Sequence, residues 1–399
     1  MTGPRQKRNL LKLGPAAGVI AIAMCAPPGL PEAEAAKIST TYGFVVTSMY
    51  HDVVPYDKAR CPQGLNEGQQ ELYLHSTNAS EAERKRLSHP DNVRELIWGK
   101  PSFNTNGKPM CLDPTGTPLP GLSPPMKVVQ GSPTALGLDL DGSSGKGSRA
   151  APSCAHEKFH GMNGERGVDN QFYRVVGCTE GFQQGAGLEQ GGYRAAIRNG
   201  SWALLINLEH VDNFQNDDDV TVQVYASRDQ APFPNAGKPV PYKSLSVVDG
   251  PRYHATMHGR IRNGVLTTEP TDLRLLMSSL PPPGRKPDGL TGMEQLIRGA
   301  RLQLKVSREG ASGILAGYND LETYDRSFIQ RNGSPTNASG TAITLKYSCP
   351  SFRAALARYA DGYPDPVTKR CTAISIAFSI EATPAFIITD QAPTKTSTN

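Results

Sequence analysis

Residues 219–227, DVTVQVYAS, alternate apolar and polar side chains. Val220, Val222 and Val224 fall on one side, Thr221 and Gln223 on the other, the period-two pattern of a strand with one buried face. Residues 301–307 repeat it with Leu302, Leu304 and Val306. Residues 42–50 (YGFVVTSMY) and 372–380 (TAISIAFSI) are rich in β-branched and aromatic residues and also predict strands. Residues 201–211 (SWALLINLEHV) form an apolar run between turn signals. Asn263-Gly264, between Ile261 and Val265-Leu266, predicts a tight hairpin.

Helical patterning is sparser. Residues 80–98 predict one or two short helices, broken near His89-Pro90. Ser80 stands at the N-cap, with Glu83 at the capping-box position. Residues 351–360 (SFRAALARYA) predict another helix. YRAAIRNG, ending at Gly200, reads either as half of a hairpin or as a short helix with Gly200 just past its end.

Alternating strands at this spacing predict a mainly β fold with an antiparallel sandwich or jelly-roll-like core. The expected organisation is a signal peptide over 1–35 and a small α+β segment over 36–127. A β-sandwich domain over 128–389 and a disordered polar tail over 390–399 follow. Residues 114–126 (PTGTPLPGLSPPM) read as a linker or surface loop, and Pro281 to Gly284 mark another. The 40 glycines and 33 prolines of this 399-residue chain agree with many turns and short strands.

Charge patterning points to export. Arg5, Lys7, Arg8 and Lys12 precede an apolar stretch over 13–26, and Ala33-Glu34-Ala35 fits the small-x-small cleavage rule. Gly14, Pro15, Pro27 and Pro28 leave that stretch too short to span a bilayer, so no anchor is expected once the signal is removed. KRNLLK (7–12) resembles the twin-arginine motif, with Lys7 in place of the first arginine. The ordinary secretory route is preferred, because disulfides formed outside the cytoplasm suit a chain exported unfolded. The expected location is periplasmic or secreted.

Past the signal the chain keeps Cys61, Cys111, Cys154, Cys178, Cys349 and Cys371. Pairing sequence neighbours is the simplest arrangement: 61–111, 154–178 and 349–371. None lies in a C-x-x-C pair, which argues against a cysteine zinc or redox site. The formal charge is +5 for the whole chain and near +3 without the signal, with no dense basic run. A nucleic-acid partner is therefore not expected.

His156-Glu157-Lys158-Phe159-His160 matches H-E-x-x-H. On a helix, His156 and His160 would face one way and hold zinc, with Glu157 activating a bound water. Gly161, Gly164 and Gly167 follow at once and disfavour a helix. The extended metzincin pattern finds Asn163 and Arg166 where it needs Gly and His. Glu180 is at a plausible spacing for a third ligand, beside a helix-breaking Gly181. The other reading is a polar loop carrying two surface histidines.

Acidic turns offer a second chemistry. Asp139 and Asp141 in DLDG, Asp169 and Asn170 in GVDNQ, and Asp217 before the Val220 strand supply the carboxylate and amide oxygens that calcium takes from flexible loops. The same residue types also populate turns with no ion, because their side chains cap the backbone.

The stretches LDLDG (138–142), GVDNQ (167–171) with GC (177–178), VDNFQNDDDVTVQVY (211–225) and GYPDPVTKRCTAIS (362–375) resemble a group of secreted bacterial proteins with no assigned function. The resemblance covers most of the chain past the signal. It implies that the GVDNQ–GC region is a framework element, and it assigns no catalytic residue.

The leading expectation is an exported, non-enzymatic β-rich binding or structural module, with a ligand or protein partner at its acidic loops and calcium as the candidate ion. The alternative is a zinc-dependent hydrolase built on His156, Glu157 and His160. A carbohydrate-binding or carbohydrate-cleaving protein is a further alternative, weakened by 7% aromatic content and only Trp98 and Trp202 as tryptophans. N-terminal sequencing of the exported protein is expected to read Ala36-Lys37-Ile38; a start at Met1 would rule out cleavage after Ala35.

Overall fold

Val220, Val222 and Val224 belong to one stave of a closed barrel. The computed structural model describes residues 40–389, except 52–56, 90, 93–94, 96–98, 145–151, 184–187, 199–201, 228, 235–238, 278–293, 331–341 and 343–344. The strands are β1 (Thr40–Tyr50), β2 (Phe159–His160), β3 (Arg166–Val168), β4 (Leu204–Val211), β5 (Asn216–Ala226), β6 (Lys243–Ser246), β7 (His254–Arg262), β8 (Val265–Thr268), β9 (Thr271–Leu276), β10 (Glu294–Ser307), β11 (Gly310–Asp320), β12 (Gly362–Pro364) and β13 (Cys371–Ile388). The helices are α1 (Gln69–Ser76), α2 (Glu81–Ser88), α3 (Gln171–Val176), α4 (Leu188–Arg198), α5 (Leu321–Tyr324) and α6 (Cys349–Tyr359). The signal, the 281–284 turn, Gly200 and the 390–399 tail lie outside the described residues.

Eight strands pair antiparallel in the order β1-β4-β5-β7-β8-β10-β11-β13, and β13 pairs back to β1 from Gly43–Ala385 to Tyr50–Ser379. This corrects the sandwich or jelly-roll expectation. Alternation shows that each strand has an apolar face, but two packed sheets and one closed sheet both satisfy it. Closure depends on which distant edges meet. Strand β1, from the N-terminal segment, sits between β4 and β13, so that segment shares the barrel with the rest of the chain. Around the barrel, β6 adds to β13 in parallel, β9 to β10, and β12 to β13.

The register carries one apolar face around the ring. Phe44 pairs with Ile206, Leu208 with Val222, Val222 with Met257, and Ile261 with Leu266. Leu266 then pairs with Leu304, Leu302 with Leu315, Leu315 with Phe378, and Ile380 with Met49. All are buried. An eight-stranded barrel is just wide enough for side chains to fill, and these fill it. The alternate positions His254, Thr256, His258 and Arg260 on β7 face solvent.

Local signals in the sequence hold where the chain alone decides them. Asn263 and Gly264 have φ of 51° and 78°, the positive pair that a two-residue hairpin needs, and they join β7 to β8. The Ser80 side chain accepts the Glu83 N–H at 3.2 Å and caps α2. The YRAAIR segment is helical, within α4.

The six cysteines past the leader all pair, but none of the three expected pairings forms. The bonds are Cys61–Cys178, Cys111–Cys349 and Cys154–Cys371, spanning 117, 238 and 217 residues. Residues 154–178 are therefore not a disulfide-closed loop. Cys61 is carried to the end of α3, Cys111 to the start of α6, and Cys154 to the start of β13. Each bond joins segments more than a hundred residues apart. Three disulfides are the chemistry of an oxidising compartment. Among the described residues, no helix is long and apolar enough to cross a membrane.

Peptide mapping without reduction is expected to recover the pairs 61–178, 111–349 and 154–371. Loops of this length are each worth roughly 5 kcal/mol taken alone in the chain-entropy account. Cys111→Ser with Cys349→Ser is thus expected to lower the denaturation midpoint markedly, and an unchanged midpoint would contradict the assignment.

Candidate functional site

A strap over residues 135–142 crosses the outer face of β11 and β13. Its Leu136 and Leu140 are buried against Ala316, Tyr318, Ala373 and Ala377. The Arg301 guanidinium, on β10, donates to the Asp139 and Leu140 carbonyls at 2.9 and 3.0 Å and pins the strap from below. Asn170 donates to the Leu136 carbonyl at 2.8 Å, and the Asp169 N–H donates to the Leu138 carbonyl at 2.9 Å. Gly137 allows this approach. A Cβ there would stand 2.7 Å from the Asp169 carbonyl oxygen, and its φ of 156° is itself unfavourable for other residues.

The H-E-x-x-H stretch lies beside the strap. Its backbone is not helical: residues 154–158 are irregular, and Phe159 and His160 form β2. The Cys154 N–H donates to the Asp361 carbonyl at 2.8 Å, and the Cys154–Cys371 bond ties the stretch to β13. A strand pairing, β2 with β3, then leads the chain to Asp169 and α3.

These segments bring five ionisable side chains together. His156 Nε2 lies 2.8 Å from Asp169 Oδ1 and 3.2 Å from Asp361 Oδ2. Its Nδ1 lies 2.7 Å from the Cys154 carbonyl, so Nδ1 carries the proton that makes this bond. Lys158 Nζ lies 2.6 Å from Asp141 Oδ2 and 2.5 Å from Asp169 Oδ1. The second oxygen of Asp169 accepts the backbone N–H groups of Leu140 and Asp141 at 2.7 and 3.3 Å. Asp361 Oδ1 accepts the Ser375 N–H at 2.6 Å. Its Oδ2 receives no hydrogen bond, since the Nε2 proton of His156 points to Asp169; the 3.2 Å contact is an ion-pair approach without hydrogen-bond alignment. Asp169 and Asp361 have no exposed side-chain surface, while Lys158 keeps 23% of its own.

Environment sets the protonation of each group. Burial pushes the Asp361 carboxyl up to about 6, against the His156 charge and the Ser375 hydrogen bonds, with the Asp169 charge adding to the rise. Burial also opposes ionisation of Asp141, but hydrogen bonds from Lys158 and Ser143 outweigh it and hold the carboxyl at about 2. Burial would lower His156, yet the bond to Asp169 and the charge of Asp361 raise it overall. Lys158 is raised likewise, the attraction of Asp169 and Asp141 exceeding the burial cost. The Tyr318 hydroxyl is buried next to this cluster with no hydrogen-bond partner, and burial and the nearby carboxylates push it upward.

Of the sequence candidates, Asp141, His156 and Asp169 converge. Each offers one donor atom, and the three atoms lie within 4.8 Å of one another. Asp139 turns aside: its Oδ2 accepts the Ser144 N–H at 3.1 Å and the Ser144 hydroxyl. Asn170 caps α3 by accepting the Tyr173 N–H at 3.0 Å. Asp217, at the start of β5, accepts the Asp212 and Asn213 N–H groups of the preceding turn at 2.7 and 3.3 Å. His160 is exposed, with Nδ1 2.9 Å from the Ser132 carbonyl. Glu157 is exposed, accepting from the Ser132 hydroxyl at 3.2 Å and lying 3.4 Å from Arg174. Glu180 is exposed at the start of a turn of 3₁₀ helix whose Gly181 and Phe182 are buried, and it stands outside the group of Asp141, His156 and Asp169. Of the two H-E-x-x-H histidines His156 alone joins the cluster: a regular strand would keep residues four apart on one face, but the β2–β3 register breaks between Phe159 and His160, and His160 lies at the surface. Lys158 and Asp361 are the members the sequence did not flag. Lys158 lies inside the motif, but a lone charge reads as solvated surface, and nothing local marks Asp361 as buried.

Comparison with known protein families, curated proteins and solved structures finds no match to this chain.

Protonation links this cluster to stability. Asp361 and His156 are both raised in the fold, so each favours folding at low pH. The Asp361 contribution is full below its ordinary 3.8 and is lost as pH rises through about 6, and the His156 contribution is lost above its ordinary 6.5. Asp141 acts oppositely, its contribution present above 3.8 and lost as pH falls toward 2. In chelator-treated protein, thermal stability is expected to peak near pH 4 and to decline toward pH 8. Asp361→Asn is expected to remove about 3 kcal/mol of that decline. Melting curves of both proteins from pH 3 to 8 check this; parallel curves would contradict it.

Proposed function

We propose that the protein is an exported, disulfide-braced binding module that takes a divalent transition-metal ion between Asp141, His156 and Asp169, on the outer wall of its barrel. The observation that carries this reading is the grouping of one imidazole and two carboxylates within 4.8 Å, around a position where the chain already holds a cation, the Lys158 ammonium. Imidazole nitrogen beside carboxylate oxygen suits zinc and its neighbours, whereas calcium prefers six to eight oxygens. Mixed donors therefore move the expectation from calcium toward a zinc-like ion. The filled barrel interior supports an outer-wall site.

The reading is binding rather than hydrolysis. A zinc hydrolase of the H-E-x-x-H type needs its glutamate at the metal-bound water. Glu157 instead engages Ser132 and Arg174 at the surface. Asp361, buried beside His156, adds negative charge that favours a cation nearby.

Calorimetry on metal-free protein with Zn2+, Mn2+ and Ca2+, together with metal analysis after dialysis, tests the proposal. Retention of about one equivalent of zinc is expected, with little heat from calcium. His156→Gln and Asp141→Asn, each checked for folding by near-ultraviolet circular dichroism, are expected to lower zinc affinity at least tenfold. Failure of the wild type to retain zinc, or retention unaffected by both substitutions, would overturn it.

A further inference from the structure

We infer that Lys158 is a built-in competitor for this metal: its ammonium and the ion alternate between Asp141 and Asp169, so that metal arrival releases the lysine and metal loss latches it again. This inference rests on the metal reading above.

Geometry carries it. Lys158 Nζ bridges one oxygen of Asp141 and one of Asp169, two of the three proposed ligands, at 2.6 and 2.5 Å. A metal ion between the same carboxylates would occupy the space of the ammonium, so both cannot bind together. The lysine has somewhere to go: 23% of its side chain is exposed, and its four-carbon stem is flexible. Asp169 does not share that freedom. It is fully buried, and its other oxygen is held by two backbone N–H groups of the strap. The carboxylate is thus a fixed post against which either cation docks.

Charge balances across the exchange. With Lys158 latched and His156 protonated, two positive charges face the carboxylates of Asp141, Asp169 and Asp361. A divalent ion bound to neutral His156 restores the same two positive charges, while one proton leaves Nε2 and the ammonium moves to solvent. The buried Asp361 Oδ2, which receives no hydrogen bond, is an independent sign that the cluster has spare capacity for a cation. A monovalent ammonium meets two of the three carboxylates and leaves this oxygen to an unaligned contact with His156.

Selectivity follows. An ion enters only if it outbids an ammonium that already has short contacts to both carboxylates. A strongly coordinating transition ion does so, and a weakly held oxygen-seeking ion does not. The latch also links occupancy to the surface, because the metal-bound form presents a free lysine beside the strap.

Zinc titrations of wild type, Lys158→Met and Lys158→Arg, with circular dichroism and melting curves as folding controls, test the exchange. Lys158→Met removes the competing charge at similar length and is expected to tighten zinc binding at least tenfold. Lys158→Arg retains a cation with a bidentate fork and is expected to bind no tighter than wild type. Amine labelling read by mass spectrometry gives a second measure: Lys158 should label several-fold faster in saturating zinc than in chelator. Equal zinc affinity in wild type and Lys158→Met would end the exchange and leave the metal-binding function standing. Zinc binding to Lys158→Met alone would uphold the competition and remove metal binding as the function of the wild type. Zinc binding to neither, or Lys158 labelling unchanged by zinc bound to the wild type, would overturn the exchange.

Discussion

The pairing of β1 with β13 closes the ring of strands, and the rest of the molecule is arranged around that closure. Strand β13 is hydrogen-bonded to β11 along one edge and to β1 along the other, so the barrel keeps no free edge. The inward face of β13 contributes Phe378 and Ile380 to the filled interior. Its outward face carries Ser375, which joins two parts of the site. The Ser375 N–H holds Asp361, and its hydroxyl accepts the Gln171 N–H at 2.8 Å, at the start of α3. With the interior occupied, chemistry at this end of the protein is left to the outer wall.

On that wall, a strap of alternating Leu and Asp residues covers an apolar strip and delivers carboxylates beside it. Burying Asp169 and Asp361 is costly unless each is met by donors or cations. Asp169 is well served by two backbone N–H groups, His156 and Lys158. Asp361 is less so, and its raised carboxyl records the imbalance. A group of three carboxylates facing one ammonium and one imidazole is not the arrangement that packing alone would favour, since an apolar patch of similar volume is often as stable. Such unevenly matched charge is the ground for the proposed metal site.

The stretch that drew attention in the sequence does reach the site, though through different geometry. H-E-x-x-H has meaning on a helix, where residues four apart share a face. The chain here is irregular over 154–158 and the β2–β3 register breaks between Phe159 and His160, so His156 and Lys158 face the cluster while His160 lies at the surface. Asp141 and Asp169 were legible as acids in turns with glycine neighbours. Their convergence was not, because it depends on the Leu138–Asp169 bridge and on Arg301 holding the strap, contacts that span tens to more than a hundred residues.

By itself the sequence determined what local physics controls. Period-two apolar patterning made strands, a positive-φ pair made the β7–β8 hairpin, and a serine hydroxyl capped α2. Six cysteines past an export-like leader implied disulfides. The tertiary structure alone decided which edges met, and so barrel rather than sandwich. It also decided which cysteines paired, each with a partner more than a hundred residues away, and which charges were buried. Local patterning tells each residue which face of its own element it occupies. The identity of the neighbour across that face is set by chain closure over long separations, where the gain comes only once the whole barrel has formed.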